Sequence, residues 1–227
     1  MKNPICNFLS IFFLVFSPEI RAERLFQSLF FQPPESAPQE VVMWVNGEPS
    51  GKVDLRRNRF SLTQKLEAPG ELVLSFTDKV YDDPERYKKF PKVVIKEDWK
   101  NFVLLAFPSP ANKHLPVRFV AMNLDSSEFK NGDFRFINFL DNKFAGRLGS
   151  ERFQLDSREI RTFRDFADSN QDVRMQINVW RPEARIKERP LANQLIRYEK
   201  DIRVMFFMYS PQGSDRITYL AADIRGL

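Results

Sequence analysis

Two stretches of this chain, roughly one hundred residues apart, run through the same order of short apolar segments and turns. The match is clearest at their ends. Val117-Arg118-Phe119-Val120-Ala121-Met122-Asn123-Leu124 parallels Ile217-Thr218-Tyr219-Leu220-Ala221-Ala222-Asp223-Ile224. Phe107-Pro108-Ser109-Pro110 parallels Met208-Tyr209-Ser210-Pro211, and Val103-Leu104-Leu105-Ala106 parallels Val204-Met205-Phe206-Phe207. At the starts, Trp44-Val45-Asn46 is matched with Phe136-Ile137-Asn138, Gly51-Lys52-Val53 with Gly146-Arg147-Leu148, and Phe60-Ser61-Leu62 with Phe153-Gln154-Leu155. Solenoid units are roughly 20–45 residues long, so two copies of this size imply two domains.

Each copy reads as strands. Side chains alternate between the two faces of a strand, and Phe60-Ser61-Leu62-Thr63 and Arg174–Val179 alternate in that way. Val103–Phe107 and Val204–Met208 are continuous apolar runs, too short for a core helix and suited to strands covered on both faces. Ala68-Pro69-Gly70, Asn131-Gly132-Asp133 and Pro211-Gln212-Gly213 are turn signals, because Gly and Asn accept left-handed angles and Pro presets its own φ. Short strands with regular turns predict an all-β chain of two tandem β-sandwich domains, 41–124 and 134–227, joined near Asp125–Asp133. Glu159–Phe166 is expected to form at most a turn of helix. The segment 23–40 is set apart: its apolar part, Leu25–Phe31, is expected on a domain edge, and Gln32–Pro38 is a stiff linker.

Residues 1–22 read as a signal peptide. Lys2 opens it, an apolar run follows from Ile5 to Phe16, and Ala22 offers a small residue at the cut. That run is short of the ~20 apolar residues that a membrane-spanning helix needs, so no transmembrane segment is expected in the mature chain. The expected location is periplasmic or extracellular, which argues against nucleic acid as a partner. The only cysteine, Cys6, lies in the signal, so the mature protein has no disulfide, thiolate metal site or cysteine nucleophile. The single histidine, His114, excludes a multi-histidine zinc site, and no Gly-x-Ser-x-Gly elbow or Gly-rich phosphate loop is present. No cofactor or metal is expected. Asp82, Asp83 and Asp98 are the acids that a carbohydrate-active enzyme would draw on, since that chemistry needs two carboxylates at a fixed separation.

The net charge is +5, and 23 phenylalanines supply material for packed cores. One polar motif recurs: Asp83-Pro84-Glu85-Arg86-Tyr87-Lys88-Lys89-Phe90-Pro91 and Arg181-Pro182-Glu183-Ala184-Arg185-Ile186-Lys187-Glu188-Arg189-Pro190. Proline cannot donate to a sheet ladder, so these are loops between strands. Their bases, Arg86, Lys88, Lys89, Arg185, Lys187 and Arg189, are the candidate partner-binding residues, for an envelope protein or an anionic polymer. The alternative is a pair of solvated crossovers. Arg56-Arg57-Asn58-Arg59 reads as a solvated basic turn.

Phe136-Ile137-Asn138, Ala145-Gly146-Arg147-Leu148-Gly149 and the exported two-domain plan resemble bacterial exported proteins of uncharacterised role built from tandem immunoglobulin-like β-sandwiches. The resemblance carries no known site. It implies a non-enzymatic binding or structural module of the cell envelope. Length, signal and basic balance also resemble the periplasmic pilus-assembly chaperones, which lend an alternating apolar strand to their subunits. Here Val103–Phe107 is continuous instead of alternating. A carbohydrate-active enzyme is the third reading.

The mature protein should begin near Glu23. Mass spectrometry of the exported protein is expected to show loss of about 22 residues, as the Ala22 exit implies. Recovery of the intact N-terminus from the cytoplasm would contradict both the cut and the location.

Overall fold

The computed structural model describes residues 23–82, 89–125, 127, 129–168, 170–180, 190–211 and 214–227. Every regular element among them is a β-strand, and among these described residues no helix is long and apolar enough to cross a membrane. The first half runs β1 (Glu23–Phe30), β2 (Glu40–Val45), β3 (Glu48–Asp54), β4 (Gln64–Glu67), β5 (Leu72–Thr77), β6 (Lys92–Ile95), β7 (Asn101–Pro108) and β8 (Val117–Asn123). The second runs β9 (Phe134–Asn138), β10 (Phe144–Leu148), β11 (Glu151–Leu155), β12 (Ile160–Phe163), β13 (Asp172–Val179), β14 (Ala192–Arg197), β15 (Arg203–Tyr209) and β16 (Thr218–Ile224).

Each half is a sandwich of two four-stranded sheets, as the alternating and continuous apolar runs predict. In the first, β4-β1-β7-β8 packs on β3-β2-β5-β6; in the second, β12-β9-β15-β16 packs on β11-β10-β13-β14. Counted from the start of each half, the strand order is the same. Both halves also share one parallel pairing: β1 with β7, from Leu25 opposite Asn101 to Phe30 opposite Ala106, and β9 with β15, from Phe134 opposite Val204 to Asn138 opposite Met208.

Three apolar cores result. Phe26, Phe30, Phe102, Leu104 and Ala106 face the first sandwich's own core. Phe134, Phe136, Val204, Phe206 and Met208 face the second's. A third core contains Leu29, Phe31, Val103, Leu105, Ile137, Met205 and Phe207, the opposite faces of the same inner strands. The sheets β4-β1-β7-β8 and β12-β9-β15-β16 therefore pack face to face. This is why Val103–Phe107 and Val204–Met208 are apolar without alternation: each strand is covered by its own partner sheet on one side and by the other domain on the second.

Several local expectations change. Leu25–Phe31 is no edge accessory. Most of it is β1, an inner strand between β4 and β7. Its entry is fixed by Arg24, a buried side chain whose guanidinium donates to the carbonyls of Trp99 at 2.9 Å, Ala68 at 2.7 Å, Gly70 at 2.5 Å and Glu97 at 3.1 Å. A buried charge persists where several acceptors replace its water shell. With β1 counted, the matches at the repeat starts shift by one strand: Trp44–Asn46 lies at β2, in an outer sheet, whereas Phe136–Asn138 lies in β9, whose counterpart in order is β1.

The match of Val103 with Val204 is out of register by one residue. Val103 faces the shared core and Val204 its own sandwich, and a one-residue slip reverses every side chain in a strand. Pairing Phe102 with Val204 keeps the faces. Phe60–Thr63 precedes β4 as irregular chain, and Ile160–Phe163 is a strand where a helical turn was expected. At Gly146 a Cβ would strike the Gln176 carbonyl and the Phe153 ring, so glycine is what lets Phe153 lie across β10.

Phe206→Ala, in the second core, and Leu105→Ala, in the shared core, should each lower stability by about 2–5 kcal/mol through lost burial plus a cavity. Urea unfolding measures this. A loss below about 1 kcal/mol at Leu105 would mean that the two sandwiches do not share a core in solution.

Candidate functional site at the seam between the sandwiches

Sheet order decides what meets across the seam. On one flank β4 lies by β16: the Gln27 amide of β1 donates to Thr63 Oγ1 at 3.1 Å and to the Arg225 carbonyl at 2.8 Å, just past β16. On the other flank β8 lies by β12 and β9. The counterpart of β4 is β12, and that of β8 is β16. The contacts are thus reciprocal, as in an isologous two-fold dimer, but within one chain.

The flank between β8 and β12 is open as a groove of about 610 Å³. Its floor is aromatic. The Phe31 ring lies 4.4 Å from Tyr209, 5.6 Å from Phe107 and 5.9 Å from Phe139, centroid to centroid, mostly edge to face. Such pairs are favoured because a ring's positive edge meets its neighbour's negative face. Gln32 closes the inner end by donating from Nε2 to Tyr209 Oη at 2.7 Å, and burial pushes the Tyr209 phenol above its ordinary pKa, so it stays neutral.

The walls are built by edge strands. Val120 on β8 and Ile160 on β12 are 38% and 53% exposed, a large fraction for aliphatic side chains on facing walls. Ile160 is placed by the turn before it. Buried Asn138 donates from Nδ2 to the Asn142 and Asp156 carbonyls, each at 2.7 Å, and accepts from the Leu140 amide at 2.9 Å. Glu159 Oε2 accepts from the Asp156 amide, closing the four-residue connection 156–159.

The rim is basic. Arg158 sits with φ 58°, donates Nε to Asp141 at 2.9 Å, and holds that carboxyl below its ordinary range by hydrogen bond first and charge second. Arg118 lies over the Phe107 ring at 4.8 Å and meets no carboxylate among the described residues. Among the described residues no Asp or Glu lines the groove. The groove thus combines an apolar lining with positive charge at its margin.

Of the bases expected from sequence one is described, and it does not line the groove. Lys89 is exposed in a turn, while Arg86, Lys88, Arg185, Lys187 and Arg189 lie outside the described residues. The two motifs span the connections β5–β6 and β13–β14, in different outer sheets. Of the basic turn, Arg56 pairs with Asp54 at 2.7 Å and Arg57 donates to the Glu35 carbonyl at 3.0 Å, so both brace local chain. Asp82 and Asp98 are exposed in separate turns, and Asp83 lies outside the described residues. Among the described residues no three His, Cys, Asp or Glu side chains gather as metal ligands. Val103–Phe107 in β7 is paired on both edges, with β1 and β8, and so has no edge to lend. The groove escaped the sequence reading because its parts come from five separate strands. Its one local signal was an aliphatic residue, Ile160, flanked by charged ones.

Floor and wall should differ sharply in cost. Phe31→Ala should lower stability by about 3–5 kcal/mol, as for a buried aromatic. Ile160→Ser should stay within about 0.5 kcal/mol, as for an exposed position. Denaturant melts of the two variants check this, and a large loss at Ile160 would mean that the groove is closed in solution. No family model matches the chain, and no curated protein matches it.

Proposed function

We propose that this chain is an exported, non-enzymatic binding module of the cell envelope, formed by duplication of one immunoglobulin-like sandwich and engaging a partner protein at the seam groove. The observation that carries the reading is the groove itself: an aromatic floor, two exposed aliphatic walls and a basic rim, with no carboxylate among the described residues that line it. Exposed apolar surface rimmed by polar groups marks interaction sites, and function on a rigid scaffold collects where edge strands and their connections meet. The shared strand order of the two halves supports duplication. The basic loops remain a second contact for an anionic partner, through the same electrostatics as the Arg118 rim.

The test is site-specific photocrosslinking in the producing cells. A photoreactive phenylalanine analogue at position 160 should give a discrete crosslink to an envelope protein, and the same group at exposed Leu195, on β14 in the outer sheet, should not. Loss of the crosslink when Val120→Asp is added would tie it to the groove. Equal labelling at both positions, or none at 160 in protein recovered from the envelope, would overturn the reading.

A further inference from the structure

The two flanks of the seam are counterparts, yet they differ among the described residues: one is open as the groove, the other takes Phe60, and the difference lies in one connection. Between β3 and β4 the chain takes nine residues, 55–63; between the counterparts β11 and β12 it takes four, 156–159. The longer connection runs back along β1. The Phe30 amide donates to the Arg56 carbonyl at 2.8 Å, the Asn58 amide to the Phe30 carbonyl at 2.9 Å, and the Ser61 amide to the Ser28 carbonyl at 2.7 Å. That path delivers the Phe60 ring to the shared core. On the opposite flank the short connection carries no such side chain, and Ile160 and Val120 are left facing the gap.

We infer that the groove takes an extended segment of a partner protein that lays an aromatic side chain, flanked by carboxylates, where the second half lacks a counterpart to Phe60. This rests on the proposed binding reading and names its ligand chemistry. The aromatic side chain follows from the opposite flank, where the same seam is filled by a phenylalanine on an extended stretch of this chain. Its ring would join Phe31, Phe107, Phe139 and Tyr209, a setting in which edge-to-face pairing adds to burial. The carboxylates follow from charge. Among the described residues Arg118 offers a guanidinium with no acid of its own, and Arg158 shares its charge with exposed Asp141. Extended backbone follows from the walls, since β8 and β12 each end their sheet beside the groove and leave an edge for main-chain hydrogen bonds. An anionic polysaccharide would answer the rim's charge but brings no aromatic ring to the place that Phe60 takes on the other flank.

The probe is a fluorescent octapeptide with a central Phe and Glu on both sides, titrated by anisotropy into the full mature chain. Two controls replace Phe by Ala, or both flanking Glu by Lys. The wild type should bind the Phe/Glu peptide and hold each control about tenfold or more weaker, with affinity falling as salt rises. Ile160→Glu should abolish binding, and Arg118→Glu should transfer the preference to the Phe/Lys peptide. Both positions are exposed, so an unchanged melting temperature serves as the folding control. No binding by the wild type, equal binding of the Ala control, retained binding in Ile160→Glu, or an unchanged charge preference in Arg118→Glu would each overturn the inference. If the peptide fails while the position-160 crosslink persists, the groove still binds a partner and only the aromatic, acidic chemistry falls.

Discussion

The apolar seam between the inner sheets is the constraint on which the rest of this molecule depends. It buries both faces of each inner strand, so β1, β7, β9 and β15 do not follow the one-sided alternation of an ordinary sandwich strand. It also makes the two domains interdependent. A separated half would expose the face carrying Leu29, Phe31, Val103 and Leu105, or that carrying Ile137, Met205 and Phe207, and patches of that kind drive association in water. The chain's one cysteine, Cys6, has no second to pair with inside the chain, so this burial stands without help from an intrachain disulfide.

Polar groups at the margins hold the seam in one arrangement. Buried Arg203 donates Nη1 to the Leu124 carbonyl at 3.0 Å and also reaches the Leu227 carbonyl, so one guanidinium ties the interdomain connection to the chain's end. Its neighbour Arg135 lies over the Phe129 ring at 4.2 Å, which fixes the connection as it crosses from β8 to β9. Asp125 caps the start of β7 by accepting from the Asn101 amide at 2.7 Å. These are directional contacts in places where apolar packing alone would leave orientation free.

Reciprocal packing of two similar halves normally gives two equal flanks. Here the unequal connections before β4 and β12 break that equality, closing one flank with Phe60 and leaving the other as a groove. Loop length is a cheap variable for a sheet protein, because closing a few more residues costs little entropy. A binding surface can thus arise from a symmetric plan without any change in the cores.

The sequence by itself determined the strand class, the plan of two sandwiches and the doubly covered runs at 103–107 and 204–208. Those rest on local patterns of period two, on turn residues and on run length, which are properties of neighbours in the chain. Strand partners were not legible. Nothing local says that Leu25–Phe31 lies between β4 and β7 instead of at an edge, and leaving it out displaced the first matches by a whole strand. The register of β7 against β15 needed the cores themselves, since a shift of one residue looks equally apolar in both readings. Only the tertiary structure decided the groove. Phe31, Phe107, Phe139 and Tyr209 meet because two sheets from different domains face each other, and Ile160 stands over them because a short connection leaves that flank unfilled.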